Sequence, residues 1–213
     1  MKGSSLEFGF WVAASVLFAA VAILGRAVAR RTPTRIDVEA IALRGQSPAL
    51  AHVFTYLGRW PALVGIAALA ALGAFFLRSN VAAIGILLVV QGFTQAVTHG
   101  AKMLFHRTRP EYWIAIQEKD LSFPSGHGVS SIVFFVGLAL LVAATMTIPR
   151  PLAAAIVAIL SVCAIGIPWS RLALGAHYLT DVLGGLLFGS AWLCVAAALV
   201  QRFGLFSAAR IHG

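Results

Sequence analysis

Three side chains capable of acid–base and nucleophilic chemistry lie close together near the C-terminus of an otherwise apolar chain. Residues 170–181 contain Arg171, His177 and Asp181. If this stretch is helical, a histidine and an aspartate four positions apart lie on one helix face. Asp181 can then accept the N–H of one ring nitrogen and leave the other nitrogen free as a nucleophile or base. The alternative interpretation is structural, with Asp181 as a cap of the next helix.

Two further polar clusters lie at the ends of apolar runs. One contains Lys102 and Arg109, followed by Pro110, and the other is Pro-Ser-Gly-His at residues 124–127. Together with Arg171 they supply three cations, which suit a multiply charged anion, and guanidinium groups match phosphate oxygens. Each cluster alone also has a plain interpretation, as interfacial anchors or as a turn with a helix cap. Their joint occurrence at helix ends on one membrane face favours a shared phosphate site.

The two histidines suit two different steps of phosphate chemistry. We predict that His177, oriented by Asp181, attacks phosphorus in line and forms a phosphohistidine. His127 can give its proton to the leaving oxygen and later take one from water. Free backbone N–H groups at Ser125 and Gly126, where a helix starts, favour phosphate. Because neither a carboxylate cluster nor a Cys/His spacing for a catalytic metal is present in the sequence, we expect no cofactor.

The composition places these residues in a membrane protein. The 213 residues are 60% hydrophobic and 11% charged, whereas soluble domains carry about 25% charged residues. The net charge of +9 fits anionic lipid headgroups or a phosphorylated substrate better than nucleic acid. Cys163 and Cys194 are expected to be small buried hydrophobes, without a disulfide or a metal. One domain over residues 1–213 is the simplest expectation.

Six apolar runs are long enough, or nearly so, to cross about 30 Å of hydrocarbon as helices. The first is expected to be an uncleaved helix, because no clear cleavage site follows it. The sequence therefore predicts an all-α membrane protein with six transmembrane helices, at residues 8–25, 60–77, 81–98, 126–148, 152–167 and 182–200.

The linker between the first two runs, residues 26–59, alternates basic and apolar residues. This pattern predicts an amphipathic interfacial segment of one or two helices between helices one and two. The segment would act either as a lid or rim where substrate enters, or as a plain connector. With six spans, the three polar linkers share one membrane face and both termini share the other.

The three clusters resemble the signature motifs of the type-2 phosphatidic acid phosphatase (lipid phosphate phosphatase) superfamily. Those motifs are Lys-x6-Arg-Pro, Pro-Ser-Gly-His and Ser-Arg-x5-His-x3-Asp, and every position is filled here. The six-span layout is also similar to that of the bacterial membrane members, so the resemblance covers nearly the whole chain. It implies one membrane-embedded phosphatase domain and metal-independent hydrolysis. It also implies a nucleophile His177, its orienter Asp181, a general acid His127, and a phosphate cradle of Lys102, Arg109, Ser125, Gly126 and Arg171.

The charge distribution and the family resemblance place the site on opposite sides of the membrane. Eleven of the sixteen Lys and Arg lie on the face of the three clusters, which by the positive-inside rule places the site in the cytoplasm. Substrate-binding and headgroup-contacting cations distort that count. The resemblance implies a multi-pass protein of the bacterial inner membrane whose active site faces the periplasm or cell exterior, and we adopt this expectation.

The expected activity is hydrolysis of a lipid phosphate or diphosphate, with the lipid phosphate and membrane lipids as partners. Undecaprenyl diphosphate ranks first as substrate, followed by the phospholipid phosphates phosphatidylglycerol phosphate and phosphatidic acid. Alternatives are a lipid A phosphatase, a lipid-to-lipid phosphotransferase, a vanadate-dependent haloperoxidase and a non-enzymatic lipid-binding or transport protein. The motifs indicate neither the lipid nor the oligomeric state.

Several polar residues near the clusters receive no catalytic role. His52, His99 and His106 are expected to be interfacial. Arg107 is interpreted as an interfacial anchor, and Tyr178 as a possible headgroup contact without an assigned role.

Overall fold

The computed structural model describes residues 5–29, 33–111, 118–145 and 148–205, and within these ranges the regular structure is entirely helical. A 3₁₀ turn, Ala40–Leu43, follows α2, and a π-helical stretch, Ser131–Val136, joins α6 to α7. The helices are α1 Ser5–Ala29, α2 Arg35–Glu39, α3 Pro48–Leu57, α4 Trp60–Phe76, α5 Val81–Phe105, α6 Gly126–Ser130, α7 Gly137–Thr145, α8 Arg150–Ala173 and α9 Leu179–Phe203.

Five helices of the described ranges are long and apolar enough to cross a membrane: α1, α5, the continuous Gly126–Ala144, α8 and α9. The fourth helix, α4, has 17 residues and becomes a sixth candidate when it is taken with α3, from which it bends by 63°. The protein is thus a multi-pass all-α membrane protein, as predicted. The short α4 explains why one of the six apolar runs is marginal as a span of its own.

Apolar side chains cover the outside of the bundle as well as its interior. Leu69, Val89 and Leu104 are each more than 70% exposed, which suits contact with lipid tails rather than water. Inside, one apolar cluster surrounds Phe134 and another surrounds Phe188. Cys163 and Cys194 are free thiols of intermediate exposure, so these expected buried residues are only partly buried.

Close backbone approach between α6 and α9 sets the position of the Pro-Ser-Gly-His segment. A side chain at Gly185 would place its Cβ 2.4 Å from the Ser125 carbonyl oxygen. Glycine is therefore required at this crossing, because any Cβ would collide with backbone. The same helix pair is tied by the Ser125 N–H, which donates to the Asp181 carbonyl oxygen at 3.0 Å.

The first linker folds as short helices, as predicted, and packs on the end of the bundle. The α3 helix lies along α8, where the Phe54 ring fills the space beside Gly166 and stacks edge-on with Trp169 at 6.2 Å. Hydrogen bonds join this linker to the other two: Asp37 accepts from Arg107, which follows α5, and from Thr180, at the start of α9. The three polar linkers therefore meet at one end of the bundle.

Candidate active site

A cavity of about 330 Å³ opens at the end of the bundle where the three linkers meet. Five of the residues singled out from the sequence line it, and Gln95, Thr98 and Ser130 extend its polar wall between α5 and α6. The other three, Ser125, Arg171 and Asp181, are buried behind the lining. The lining residues from the motifs are Lys102, Arg109, Gly126, His127 and His177.

His177 lies in the connection between α8 and α9, not on a helix. The α8 helix ends at Ala173, Gly175 turns the chain with a φ of 65°, and α9 begins at Leu179. The prediction that His177 and Asp181 share a helix face is therefore wrong. The reason is the turn at Gly175. A residue in the left-handed backbone conformation ends a helix, and glycine adopts that conformation without strain.

The hydrogen-bond partners of His177 define its tautomer. Arg109 Nη1 lies 2.9 Å from Nε2. Because a guanidinium group only donates, Nε2 must accept and carry the lone pair, which puts the ring proton on Nδ1. The nitrogen that faces the cavity cations is thus the one with a free electron pair.

Ser122 lies between His177 and Asp181. Its hydroxyl is 3.2 Å from Nδ1 of His177 and donates to Oδ2 of Asp181 at 2.5 Å. The direct separation of Nδ1 from the same carboxylate oxygen is 3.5 Å. The ring N–H therefore reaches the carboxylate mainly through the serine hydroxyl, a partner that the sequence motifs do not contain.

Asp181 is both a helix cap and a neighbour of the histidine. Its Oδ2 accepts the backbone N–H of Tyr178 at 2.9 Å, at the start of α9. The two interpretations of the sequence are thus not alternatives. The cap holds the carboxylate in the position from which it meets Ser122 and His177.

His177 is buried among positive charges. Burial and the charges of Arg109, Arg171 and Lys102 hold the pKa of its imidazole well below the ordinary 6.5. Both effects disfavour the imidazolium, so the ring is neutral near pH 7.

Two carboxylates from the linker between α5 and α6 are paired with the three cations. Asp120 forms an ion pair with Lys102 and lies 2.5 Å from Arg109. Glu118 lies 2.9 Å from Arg109 and 2.8 Å from Arg171. Burial raises the pKa of Asp120, but the hydrogen bond to Lys102 and the charges of Lys102 and Arg109 outweigh it and lower the pKa below 3.8. The three cations therefore meet around Glu118 and Asp120, acidic partners that the sequence patterns missed.

No metal site accompanies these carboxylates in the part of the chain that the structure describes. Among the described residues, no three His, Cys, Asp or Glu side chains lie together in a way that could hold a metal ion. In the cavity, Glu118 and Asp120 face Lys and Arg instead of one another.

His127 faces the same cavity from the first turn of α6. Its Nε2 lies 3.0 Å from the carbonyl oxygen of Thr55, so this nitrogen carries a proton. The hydroxyl of Thr55 also accepts from Arg171 at 2.5 Å. The first linker thus holds His127 and Arg171 through Thr55. It also contributes Gly58 and Arg59 to the cavity wall, which is more than the connector role considered from the sequence.

Ser125 and Gly126 differ in their access to the cavity. The Ser125 hydroxyl caps α6 by accepting the Gly128 N–H at 3.4 Å, and its own N–H is taken by the Asp181 carbonyl. Gly126 lines the cavity, and its carbonyl accepts from Gln95 at 2.9 Å. In this arrangement the backbone N–H of Ser125 is not free for a phosphate, because it already ties α6 to α9.

Arg107 is buried, so its interpretation as an interfacial anchor is wrong. Its guanidinium pairs with Asp181 at 2.6 Å and with Asp37 at 2.8 Å, and all three side chains are inaccessible. The guanidinium also lies 4.4 Å from the ring centre of Tyr178. Spacing along the chain could not have revealed this, since Asp37 is 70 residues away.

Three other histidines of the described ranges lie at the surface. His52 and His106 are exposed, and His99 is exposed at the edge of the cavity.

The sequence is similar to a known family and to named bacterial proteins. Residues 83–205, more than half of the chain, match the family model described as PAP2 superfamily. Phosphatidylglycerophosphatase B of Bacillus subtilis is 28% identical over 135 residues, which cover 63% of this chain and 66% of that protein. Lipid A 1-phosphatase of Rhizobium johnstonii is 42% identical over 85 residues, which cover 39% of this chain and 30% of that protein. The matches thus take in slightly under two thirds of the first relative and under a third of the second.

The fold is also similar to a solved structure. That crystal structure is of a transmembrane PAP2-type phosphatidylglycerolphosphate phosphatase from Bacillus subtilis. The TM-score is 0.74 at 25% sequence identity, and the match covers 91% of this chain and 98% of the other.

Proposed function

The chain belongs to the PAP2 superfamily, and from this premise we propose that it hydrolyses a phosphate ester on a membrane lipid through a phosphohistidine at His177. The observation that carries the proposal is the neutral imidazole of His177, whose Nε2 lone pair points at Arg109 in a cavity that Lys102 also lines, with Arg171 buried behind the lining. A neutral, oriented imidazole is the form that attacks phosphorus.

The first step forms the bond between Nε2 of His177 and phosphorus and breaks the bond from phosphorus to the lipid oxygen. The negative phosphate stabilises the imidazolium form of His127, which gives its proton to that leaving oxygen. In the second step His127 takes a proton from water, the water oxygen bonds to phosphorus, and the bond to Nε2 breaks. Inorganic phosphate and a neutral His177 are the result.

To reach the three cations, the substrate phosphate must displace the carboxylates that are already paired with them. Glu118 and Asp120 hold Lys102, Arg109 and Arg171 through carboxylate oxygens, and phosphate oxygens bind the same donors. Arg109 must also leave Nε2 of His177, so its shift to a phosphate oxygen exposes the nucleophile. We propose that these three cations neutralise the phosphate charge in the transition state, so that the reaction needs no metal ion.

The substrate that we propose is a glycerophospholipid phosphate, such as phosphatidylglycerol phosphate. The support is the name of the Bacillus relative together with the fold match over most of both chains. This choice moves undecaprenyl diphosphate, first in the ranking from sequence, to second place. The lipid A 1-phosphatase similarity covers a shorter segment and supports the phosphate chemistry more than the headgroup.

Turnover of a panel of purified lipid phosphates tests the proposal. The panel compares kcat/KM for phosphatidylglycerol phosphate, phosphatidic acid, undecaprenyl diphosphate and lipid A in detergent, with and without EDTA. We expect phosphate release that survives EDTA, is highest for a glycerophospholipid phosphate, and is absent in His177→Ala. Exposed His52 provides the matched control, His52→Ala, which should retain activity. Equal turnover by His177→Ala, or loss in EDTA that Mg²⁺ restores, would contradict the proposal.

A further inference from the structure

A continuous chain of buried charges lies behind the catalytic pair. Arg107 Nη1 is 2.6 Å from Oδ1 of Asp181, and Arg107 Nη2 is 2.8 Å from Oδ2 of Asp37. None of the three side chains has accessible surface. Since an unpaired buried charge costs several kcal/mol, each of these groups requires its neighbour to remain ionised.

Asp37 is held in place from two sides. Its Oδ1 accepts the backbone N–H of Thr180, in the first turn of α9, at 2.9 Å. Its Oδ2 accepts the backbone N–H and the hydroxyl of Thr34 at 3.0 and 2.8 Å. Burial raises the pKa of Asp37, but the hydrogen bonds from Thr180, Thr34 and Arg107 lower it below 3.8 overall. Asp37 is therefore an anion that fixes both Arg107 and the start of α9.

Arg107 reaches His177 by two routes. Its guanidinium holds the carboxylate of Asp181, and its backbone carbonyl accepts the N–H of Ser122 at 2.8 Å. Ser122 in turn contacts Nδ1 of His177 and donates to Asp181. A displacement of Arg107 would thus disturb both groups that meet the ring N–H.

We propose that Asp37 and Arg107 are positioning residues for phosphoryl transfer. They keep Asp181 ionised and hold Ser122 within hydrogen-bond distance of His177. His177 thus keeps its proton on Nδ1 and its lone pair on Nε2. This inference rests on the proposed role of His177 as the nucleophile. Asp37 lies outside residues 83–205, the part that matches the family model, so the first linker of this chain supplies part of the active-site geometry.

A positioning role differs from a merely structural one in what it changes. Neither Asp37 nor Arg107 lines the main cavity, so their loss should leave phosphate binding intact while the ring tautomer and kcat change. A lysine at position 107 keeps the charge but lacks the planar fork that bridges Asp37 and Asp181. A purely structural role would lower thermal stability without a selective effect on kcat.

The experiment compares Asp37→Asn with Glu39→Gln in the purified full-length protein. Glu39 lies on the same short helix, is exposed, and pairs only with exposed Arg35 among the described residues. The first readout is the ¹⁵N spectrum of labelled histidine, with the His177 signals assigned by their loss in His177→Gln. The second is kcat on phosphatidic acid, together with the inhibition constant of inorganic phosphate, the reaction product.

We expect the wild type and Glu39→Gln to show His177 protonated only at Nδ1, and Asp37→Asn to show mixed tautomers. For Asp37→Asn, kcat should fall about 10- to 100-fold, the scale found for groups that orient a catalytic ligand from behind. The inhibition constant of inorganic phosphate should stay unchanged. An unchanged His177 tautomer with an unchanged kcat would overturn the proposal.

Two further outcomes remain informative. If Asp37→Asn does not fold, Arg107→Lys is measured in the same way, with the same expected tautomer mixture and the same contradicting result. If the wild type releases no phosphate, the proposed function fails. The spectrum still decides in that case whether Asp37 and Arg107 set the tautomer.

Discussion

His177 has an environment that suits a neutral nucleophile more than an acid. Its Nε2 accepts from Arg109 and its Nδ1 faces Ser122 and Asp181. Burial and the nearby cations lower its pKa. The ring thus stays unprotonated until the pH falls below that lowered value, whereas an ordinary histidine begins to protonate near 6.5.

The pH dependence of activity follows from this shift. We expect kcat/KM on phosphatidic acid to show no loss centred at 6.5 as the pH falls, because His177 remains a free base there. Initial rates between about pH 5 and pH 8 test this expectation, with size-exclusion profiles to confirm that the protein stays folded. An acid limb centred at 6.5 that shifts when Ser122 is replaced by alanine would show that His177 titrates at its ordinary pKa.

At the residue scale, motif spacing predicted the identity of the polar groups but not their partners. Lys102, Arg109 and His127 line one cavity with His177. Arg107 was missed because its partner Asp37 lies far away along the chain. Ser122 was missed because one serine carries no signal until the fold places it beside the histidine.

At the element scale, the crossing of α6 and α9 positions the two segments that contain His127 and His177. The carbonyl oxygen of Ser125 would lie only 2.4 Å from a Cβ at Gly185. The Ser125 N–H donates to the carbonyl oxygen of Asp181. The segments that bear His127 and His177 are therefore held to each other through backbone contacts.

Gly185→Ala tests the importance of this crossing. The added methyl group must push α6 from α9, which should cost about 1–3 kcal/mol of stability and reduce phosphate release. Gly65→Ala is the control, since an added Cβ there meets nothing within 4 Å. Thermal unfolding in detergent and activity are measured on both. Equal behaviour of the two variants would contradict the close-approach account.

The linker between α5 and α6 supplies the acidic partners of the cations. Because Glu118 and Asp120 occupy the donors that phosphate needs, Glu118→Gln and Asp120→Asn should lower the inhibition constant of vanadate. Glu111→Gln, an exposed carboxylate of the same linker, should leave it unchanged. Weaker vanadate binding in the first two variants would instead show that the carboxylates assist the anion.

Helix positions were largely predictable from apolar runs, while two local features were not. The α4 helix is too short to span alone and depends on the bent α3. The turn at Gly175 removes His177 from a helix. Both depend on where the chain stops being helical, which apolar composition does not determine.

At the scale of the whole molecule, the fold predicted from composition is confirmed as an all-helical membrane bundle, and the family is shown by residues 83–205. The sequence does not indicate which lipid is bound, because the proposed role of the cations concerns only the phosphate. The membrane side is also not readable, since cations that bind phosphate count toward the positive-inside rule.

We propose that the cavity opens to the periplasm of an inner-membrane protein, and labelling of one engineered cysteine tests the side. In a Cys163→Ser/Cys194→Ser background, Glu111→Cys lies in the exposed part of the linker beside the cavity. We expect a membrane-impermeant maleimide to label it in intact cells. The control is Arg78→Cys, in the short connection on the opposite face. Labelling of Arg78→Cys alone would place the cavity in the cytoplasm.

The central claim is that phosphorus becomes bonded to His177 during turnover. Radiolabelled phosphatidic acid is mixed with the purified protein, the reaction is stopped within milliseconds in alkaline denaturant, and labelled peptides are identified by mass spectrometry. The account predicts phosphate on Nε2 of His177 in the wild type and in His52→Ala, and none in His177→Gln, which also loses turnover. Phosphate release that continues in His177→Gln without a labelled histidine would contradict it.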